Sequence, residues 1–138
     1  MIRVSITEAL KADPTARHFA TLLARCLSNI STSPLLGARG GFERNRDSVA
    51  AGIEKFHVRM PGDDPWPNYA PMSRRTSNNF LVFARHFYND EYFQILAIVS
   101  PSAHQRIDAM LPAIIELAES TFIEISDDEL EALDNFTI

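Results

Sequence analysis

The segment Glu54–Met60, EKFHVRM, holds the densest reactive chemistry in the chain. If it is extended, Lys55, His57 and Arg59 share one face and Phe56, Val58 and Met60 the other. Successive members of a row then lie about 7 Å apart. A neighbouring strand could add Arg85 or His86. Such a row suits RNA cleavage by internal transesterification. One group removes the ribose 2′-OH proton, cations steady the charge growing on phosphate, and an acid protonates the departing 5′ oxygen. Histidine can serve either proton transfer because it titrates near neutrality. Arginine can grip two phosphate oxygens at once. The competing reading is a solvated sheet face with ordinary cations. A second cationic segment, RRTSNNFLVFARH, opens with Arg74 and Arg75 and closes with Arg85 and His86. Further on, His104 stands four residues before Asp108, one helical turn away. That carboxylate either orients the imidazole or steadies the helix start.

Other chemistries find no footing. The four histidines, at 18, 57, 86 and 104, form no short His/Cys/Asp spacing of a metal site. There is no GxSxG nucleophile elbow, and Gly37, Gly40 and Gly41 do not form a GxxxxGK[ST] loop. No metal or cofactor is expected. The single cysteine, Cys26, lies in the apolar run LLARCL and reads as an inert thiol.

The elements that must position these residues follow from periodicity. Ile2, Val4 and Ile6 alternate with Arg3, Ser5 and Thr7, a strand signal. Asp13-Pro14 makes a helix start, and Phe19, Leu22, Leu23, Cys26, Leu27 and Ile30 recur at helical steps. Residues 37–48, GARGGFERNRDS, read as a loop or short irregular element. Residues 53–60 form a second strand. Residues 61–73 hold four prolines and exclude a regular element, with Trp66 and Tyr69 expected to pin the loop. Residues 79–87 form a third strand. Tyr92–Val99 is continuously apolar, as expected for a strand covered on both faces. Ile107, Met110, Leu111, Ile114, Ile115 and Ala118 mark a final helix, with a kink or break allowed at Pro112. This order implies a two- or three-layer α+β domain spanning 1–138, with about four strands packed with N-terminal and C-terminal helices.

Charge is distributed unevenly. The net charge is −5, yet all 13 Lys and Arg precede residue 107, while residues 116–138 carry eight acids and no base. Residues 1–115 therefore hold 13 bases against 10 acids, or +3. The acidic extension, about 124–138, carries Leu130, Leu133 and Phe136 at steps of three. Those residues suit either docking as a short helix or support of a homodimer. The start, MIRVSITEALK, lacks an apolar leader, and no run approaches a membrane span. The expected compartment is the cytoplasm, with no membrane partner.

The ordered pieces resemble the YafO family of type II toxin–antitoxin toxins. They are FERN at 42–45, I-x-K-F-H-V-R at 53–59, RRTSNNFLVFARH at 74–86 and YFQILAIVSPSAH at 92–104, followed by Asp108. The resemblance covers about residues 36–122. It implies a RelE/ParE-like, antiparallel-dominated sheet and a ribosome-dependent mRNA interferase neutralised by a cognate antitoxin. By matching position it implicates Arg44, His57, Arg75, Thr76, His104 and Asp108. Joined with the strand chemistry, the expected catalytic set is His57, Arg75, Arg85 and His104. Arg44, Lys55, Arg59, Arg74, Thr76 and His86 are expected RNA contacts, and Asp108 a support. Expected partners are the antitoxin, the ribosome and mRNA. A different reading stays open: a non-catalytic module that binds rRNA or protein and blocks translation without cutting.

Overall fold

The computed structural model describes residues 1–138. Its elements run β1 (Arg3–Ile6), α1 (Pro14–Leu27), β2 (Leu36–Gly41), α2 (Arg46–Ala50), β3 (Ile53–Val58), β4 (Phe80–Arg85), β5 (Tyr92–Val99), α3 (Ala103–Thr121) and α4 (Asp127–Ala132). The five strands lie in the order β1-β5-β4-β3-β2. β1 pairs parallel with β5, and all other neighbours are antiparallel.

Strand alternation sends side chains to two separate cores. On one face Phe56, Val58, Leu81, Phe83 and Ile95 pack under Ala16, Phe19, Ala20 and Leu23 of α1. On the other, Ile53, Phe80, Val82, Leu96 and Val99 pack under Ile107, Leu111, Ile114 and Ala118 of α3. The β4 and β5 strands are buried from both sides, which explains their continuous apolar sequences. Asp13 caps α1 by accepting from the Thr15 N–H at 2.9 Å, and Pro14 fills the first turn. Ile30, expected on the apolar face of that helix, lies beyond its end and is exposed.

Three local expectations change. The 37–48 loop is instead strand β2 followed by α2, so the sheet has one strand more than expected. Glycines read as a loop signal here serve an edge strand under close approach. A Cβ at Gly37 would collide with the Arg75 carbonyl oxygen and come within 2.9 Å of the Trp66 ring. Second, α3 runs unbroken past Pro112. Both Pro112 and Asp108, whose carbonyl loses its helical donor, are exposed, so the missing hydrogen bond falls on the outer face of the helix. Third, Tyr69 does not pin the proline-rich loop, being 89% exposed. Trp66 does, donating Nε1–H to the Thr76 carbonyl at 2.8 Å.

The acidic extension folds back on its own chain. Ser126 and Glu129 form a capping box that starts α4, and Leu130 is fully buried. Phe136 and Val4 exchange backbone hydrogen bonds of 2.9 and 2.7 Å along the outer edge of β1. Arg17 sits 4.9 Å from the Phe136 ring centre. The apolar residues of this extension dock on their own chain: Leu130 and Leu133 pack against the α3-side core and Phe136 against the α1-side core. No helix is long and apolar enough to cross a membrane.

Candidate active site

The site grows from β3. Alternation turns Lys55 and His57 toward the α3 face, opposite Phe56 and Val58. Antiparallel register sets Phe80 of β4 directly across from His57, and their rings meet edge-on at 5.1 Å. His104, on the first turn of α3, meets the same Phe80 ring edge-on at 4.8 Å. The two imidazole centres are 5.6 Å apart. Phe80 is fully buried and His57 is only 8% exposed, whereas His104 is open to solvent. Lys55 Nζ lies 4.3 Å from the Phe80 ring centre and 4.6 Å from that of Phe42. Both are cation–π distances.

A polar turn, Ser77-Asn78-Asn79, holds these pieces in place. The Ser77 N–H donates to His57 Nδ1 at 2.9 Å, and the Ser77 carbonyl lies 2.8 Å from the same nitrogen. Neutral His57 accepts from the amide, leaving its proton on Nε2. Protonated His57 can instead donate from Nδ1 to the carbonyl. Asn78 caps α3 from outside the helix: its carbonyl accepts from Ala103 N–H at 3.0 Å and its Oδ1 from His104 N–H at 2.8 Å. These contacts replace a side-chain cap that Ser102, in the left-handed region at φ 59°, does not supply. Asn79 accepts from the Ser100 hydroxyl at 2.6 Å and donates to the Val58 carbonyl at 3.3 Å.

Burial pushes His57 below its ordinary value of 6.5. The Ser77 backbone bond opposes that shift, and nearby Lys55 and His104 reinforce it. Burial likewise lowers Lys55, against the opposing pull of Glu43. The cluster opens into a cleft of about 270 Å³ whose walls include Glu43, Arg44, Lys55, His104 and Asp108. Arg44 reaches it from the turn before α2, which Asn45 caps by accepting from Ser48 N–H at 2.9 Å. His104, Lys55 and Arg44 thus share one open concavity with the carboxylates of Glu43 and Asp108, while His57 lies behind it, in contact with Phe80 and His104. Larger depressions elsewhere do not contain either imidazole of this pair.

Other expected site residues fall outside the cluster. Arg59 does not continue the row; its guanidinium donates to the Asp63 and Asp64 carbonyls at 2.7 and 3.0 Å and anchors the proline-rich loop. Arg85 shares the parity of Leu81 and Phe83, so it belongs to the α1 face, at the far end of β4 from Phe80. His86 is buried, with Nε2 2.8 Å from the Ile125 carbonyl and Nδ1 accepting from the Tyr88 and Asn89 amides. It anchors a turn. Arg74 is exposed on a single 3-10 turn, Met72–Arg74. Arg75 is half-buried and donates Nε–H to the Ala70 carbonyl at 2.9 Å, with its terminal nitrogens unengaged. The Thr76 side chain is exposed, one residue before the Ser77 contact with His57. His104 and Asp108 both line the cleft, but no hydrogen bond or ion pair joins them. Cys26 is half-buried, and burial raises its thiol, which suits an unreactive group.

Sequence reasoning missed Phe42, Ser77, Asn78, Asn79 and Phe80. The three small polar residues ahead of a strand were a turn signal, since such side chains bond nearby backbone. Phe80 carried no signal beyond being apolar.

A family model described as Toxin YafO, type II toxin-antitoxin system, matches residues 24–124. That span runs from the last turn of α1 through the whole of α3. No curated protein and no solved structure matches the chain.

Proposed function

Because this chain belongs to the YafO family of toxins from type II toxin–antitoxin systems, we propose that it arrests translation by cutting ribosome-bound mRNA. Its α+β fold, with a mixed, mainly antiparallel sheet and flanking helices, is the RelE/ParE-like architecture that goes with that family. The observation that carries the catalytic reading is the cluster of His57, Phe80 and His104, whose exposed member His104 faces a cleft shared with Arg44 and Lys55.

In the proposed reaction the ribose 2′ oxygen attacks the adjacent phosphorus and the P–O5′ bond breaks. The products are a 2′,3′-cyclic phosphate and a 5′-hydroxyl. His104, exposed at the cleft, exchanges protons with RNA. His57, whose charged form burial disfavours, is the second proton-transfer group and is oriented by Ser77. Lys55 and Arg44 offset charge on the phosphate, and the free terminal nitrogens of Arg75 offer a further contact. A net charge of −5 makes capture of free RNA weak. Delivery of mRNA by the ribosome removes that requirement. A cognate antitoxin would silence the toxin by covering the cleft mouth at Arg44, Lys55 and His104.

Induced expression with primer-extension mapping of mRNA ends tests the reading. Wild-type protein should stop growth and create new mRNA 5′ ends. His104→Ala should lose cleavage by about 100- to 10,000-fold while staying folded. Arrest of translation with unchanged mRNA ends would instead support a module that blocks the ribosome without cutting.

A further inference from the structure

We propose that a second binding surface, centred on Phe87, takes a short protein segment whose apolar side chains are flanked by lysine or arginine. This goes beyond RNA cleavage and does not depend on it. Phe87 is 44% exposed, next to Tyr88 at 79%, with Val49 of α2 at 56%. Large apolar side chains in water are costly when clustered, and a cluster marks an interaction site. The backbone that carries Phe87 is held in place. Its N–H donates to the Ile123 carbonyl at 2.9 Å, and the buried His86 before it is bonded at both ring nitrogens.

Two depressions flank the Phe87 ring. One, of about 370 Å³, is lined by Val49, Ile53 and Glu43 among others. The other, of about 330 Å³, is lined by Ala50, Ile115 and Ile123. Each offers a seat for an apolar side chain on either side of a fixed aromatic ridge.

Charge identifies the occupant. Glu43 rims the first depression, and Asp47, Glu119 and Glu124 rim the second. None of these four carboxylates has an ion-pair partner in the chain; the three ion pairs present use Glu91, Asp134 and Glu54. Arg85 is the one lysine or arginine among the lining residues. Nucleic acid would be repelled here, while a basic segment would be drawn in and oriented.

The test uses the full chain and a fluorescent helix-forming peptide of leucine and lysine. Matched peptides carry glutamate for lysine, or serine for leucine. Binding is read by anisotropy, and its place by amide NMR shifts. The leucine–lysine peptide should bind best, with shifts centred on residues 47–53, 85–88 and 115–124. Phe87→Ser should weaken it at least about tenfold, as expected for a central anchor. Glu119→Lys with Glu124→Lys should weaken it and flatten its salt dependence. If Phe87→Ser fails to fold, Val49→Ser, at an exposed position, carries the same comparison. Equal binding of the glutamate or serine peptides, shifts centred on His104, or indifference to these substitutions would overturn the proposal. So would preferential binding of a single-stranded RNA oligonucleotide, or self-association of the chain abolished by Phe87→Ser.

Discussion

Replacing Phe80 with leucine should uncouple the site from the core that positions it. Leucine keeps the side chain apolar and refills much of the volume, so the packing penalty stays below about 1.5 kcal/mol. What it removes is specific: edge-on contacts with Phe42, His57 and His104, and the Lys55 cation–π contact. Buried aromatic pairs are worth about 0.5–1.5 kcal/mol each beyond their area, and a partly desolvated cation–π contact about 1–2 kcal/mol. One ring serves all of them, so they do not add fully. The net loss should be about 2–3 kcal/mol. With a urea dependence of about 2 kcal/mol/M, the unfolding midpoint should fall by about 1–1.5 M. His104 allows a finer measurement, because its exposed side chain can be removed without opening the core. A double-mutant cycle of Phe80→Leu with His104→Ala should give a coupling of about 0.5–1.5 kcal/mol. A coupling below about 0.3 kcal/mol would refute the claim that Phe80 seats His104. An unchanged midpoint in Phe80→Leu would refute its role as the hub.

His57 should also make stability depend on pH. Its folded value lies below 6.5 because the charged form is desolvated. The unfolded chain therefore binds more protons just below that pH, and stability rises with pH there. The contribution should be fully present above about 6.5 and fade as pH falls toward the folded value. Urea midpoints for wild type and His57→Gln, compared across that range, should diverge on the alkaline side; parallel curves would exclude His57 as the source. Asn78→Ala should cost about 1–2 kcal/mol, since it leaves the His104 N–H of α3 without its acceptor. It should also slow RNA cleavage, and wild-type cleavage in this variant would separate the cap from the chemistry. Arg85→Ala should leave cleavage within about twofold of wild type, because Arg85 lies about 17 Å along β4 from Phe80 and on the other face. A loss of a hundredfold in the primer-extension assay would return Arg85 to the site.

Period and punctuation in the sequence were enough to place β1, α1, β3, β4, β5 and α3, and with them the α+β class. They are local properties: backbone geometry forces alternate residues of a strand to opposite faces wherever that strand packs. The row shared by Lys55 and His57 was legible for that reason. Three things were not legible. The glycine-rich β2 has almost no side-chain pattern to read, and its strand state depends on backbone pairing with β3. Whether the Lys55–His57 face met water or a helix depended on where α3 docks: its first turn sets His104 against His57 and leaves Lys55 at the open cleft. The meeting of His57 with His104 required both the β3–β4 register and the Asn78 cap that fixes the start of α3. Register and docking join residues distant in the chain through burial of apolar faces, which local spacing does not encode. The sequence by itself determined which side chains share a strand face. Only the tertiary structure decided that Phe80 touches two histidines that also meet each other, that Arg59 and His86 serve loops, and that the His57 end of the row meets a helix.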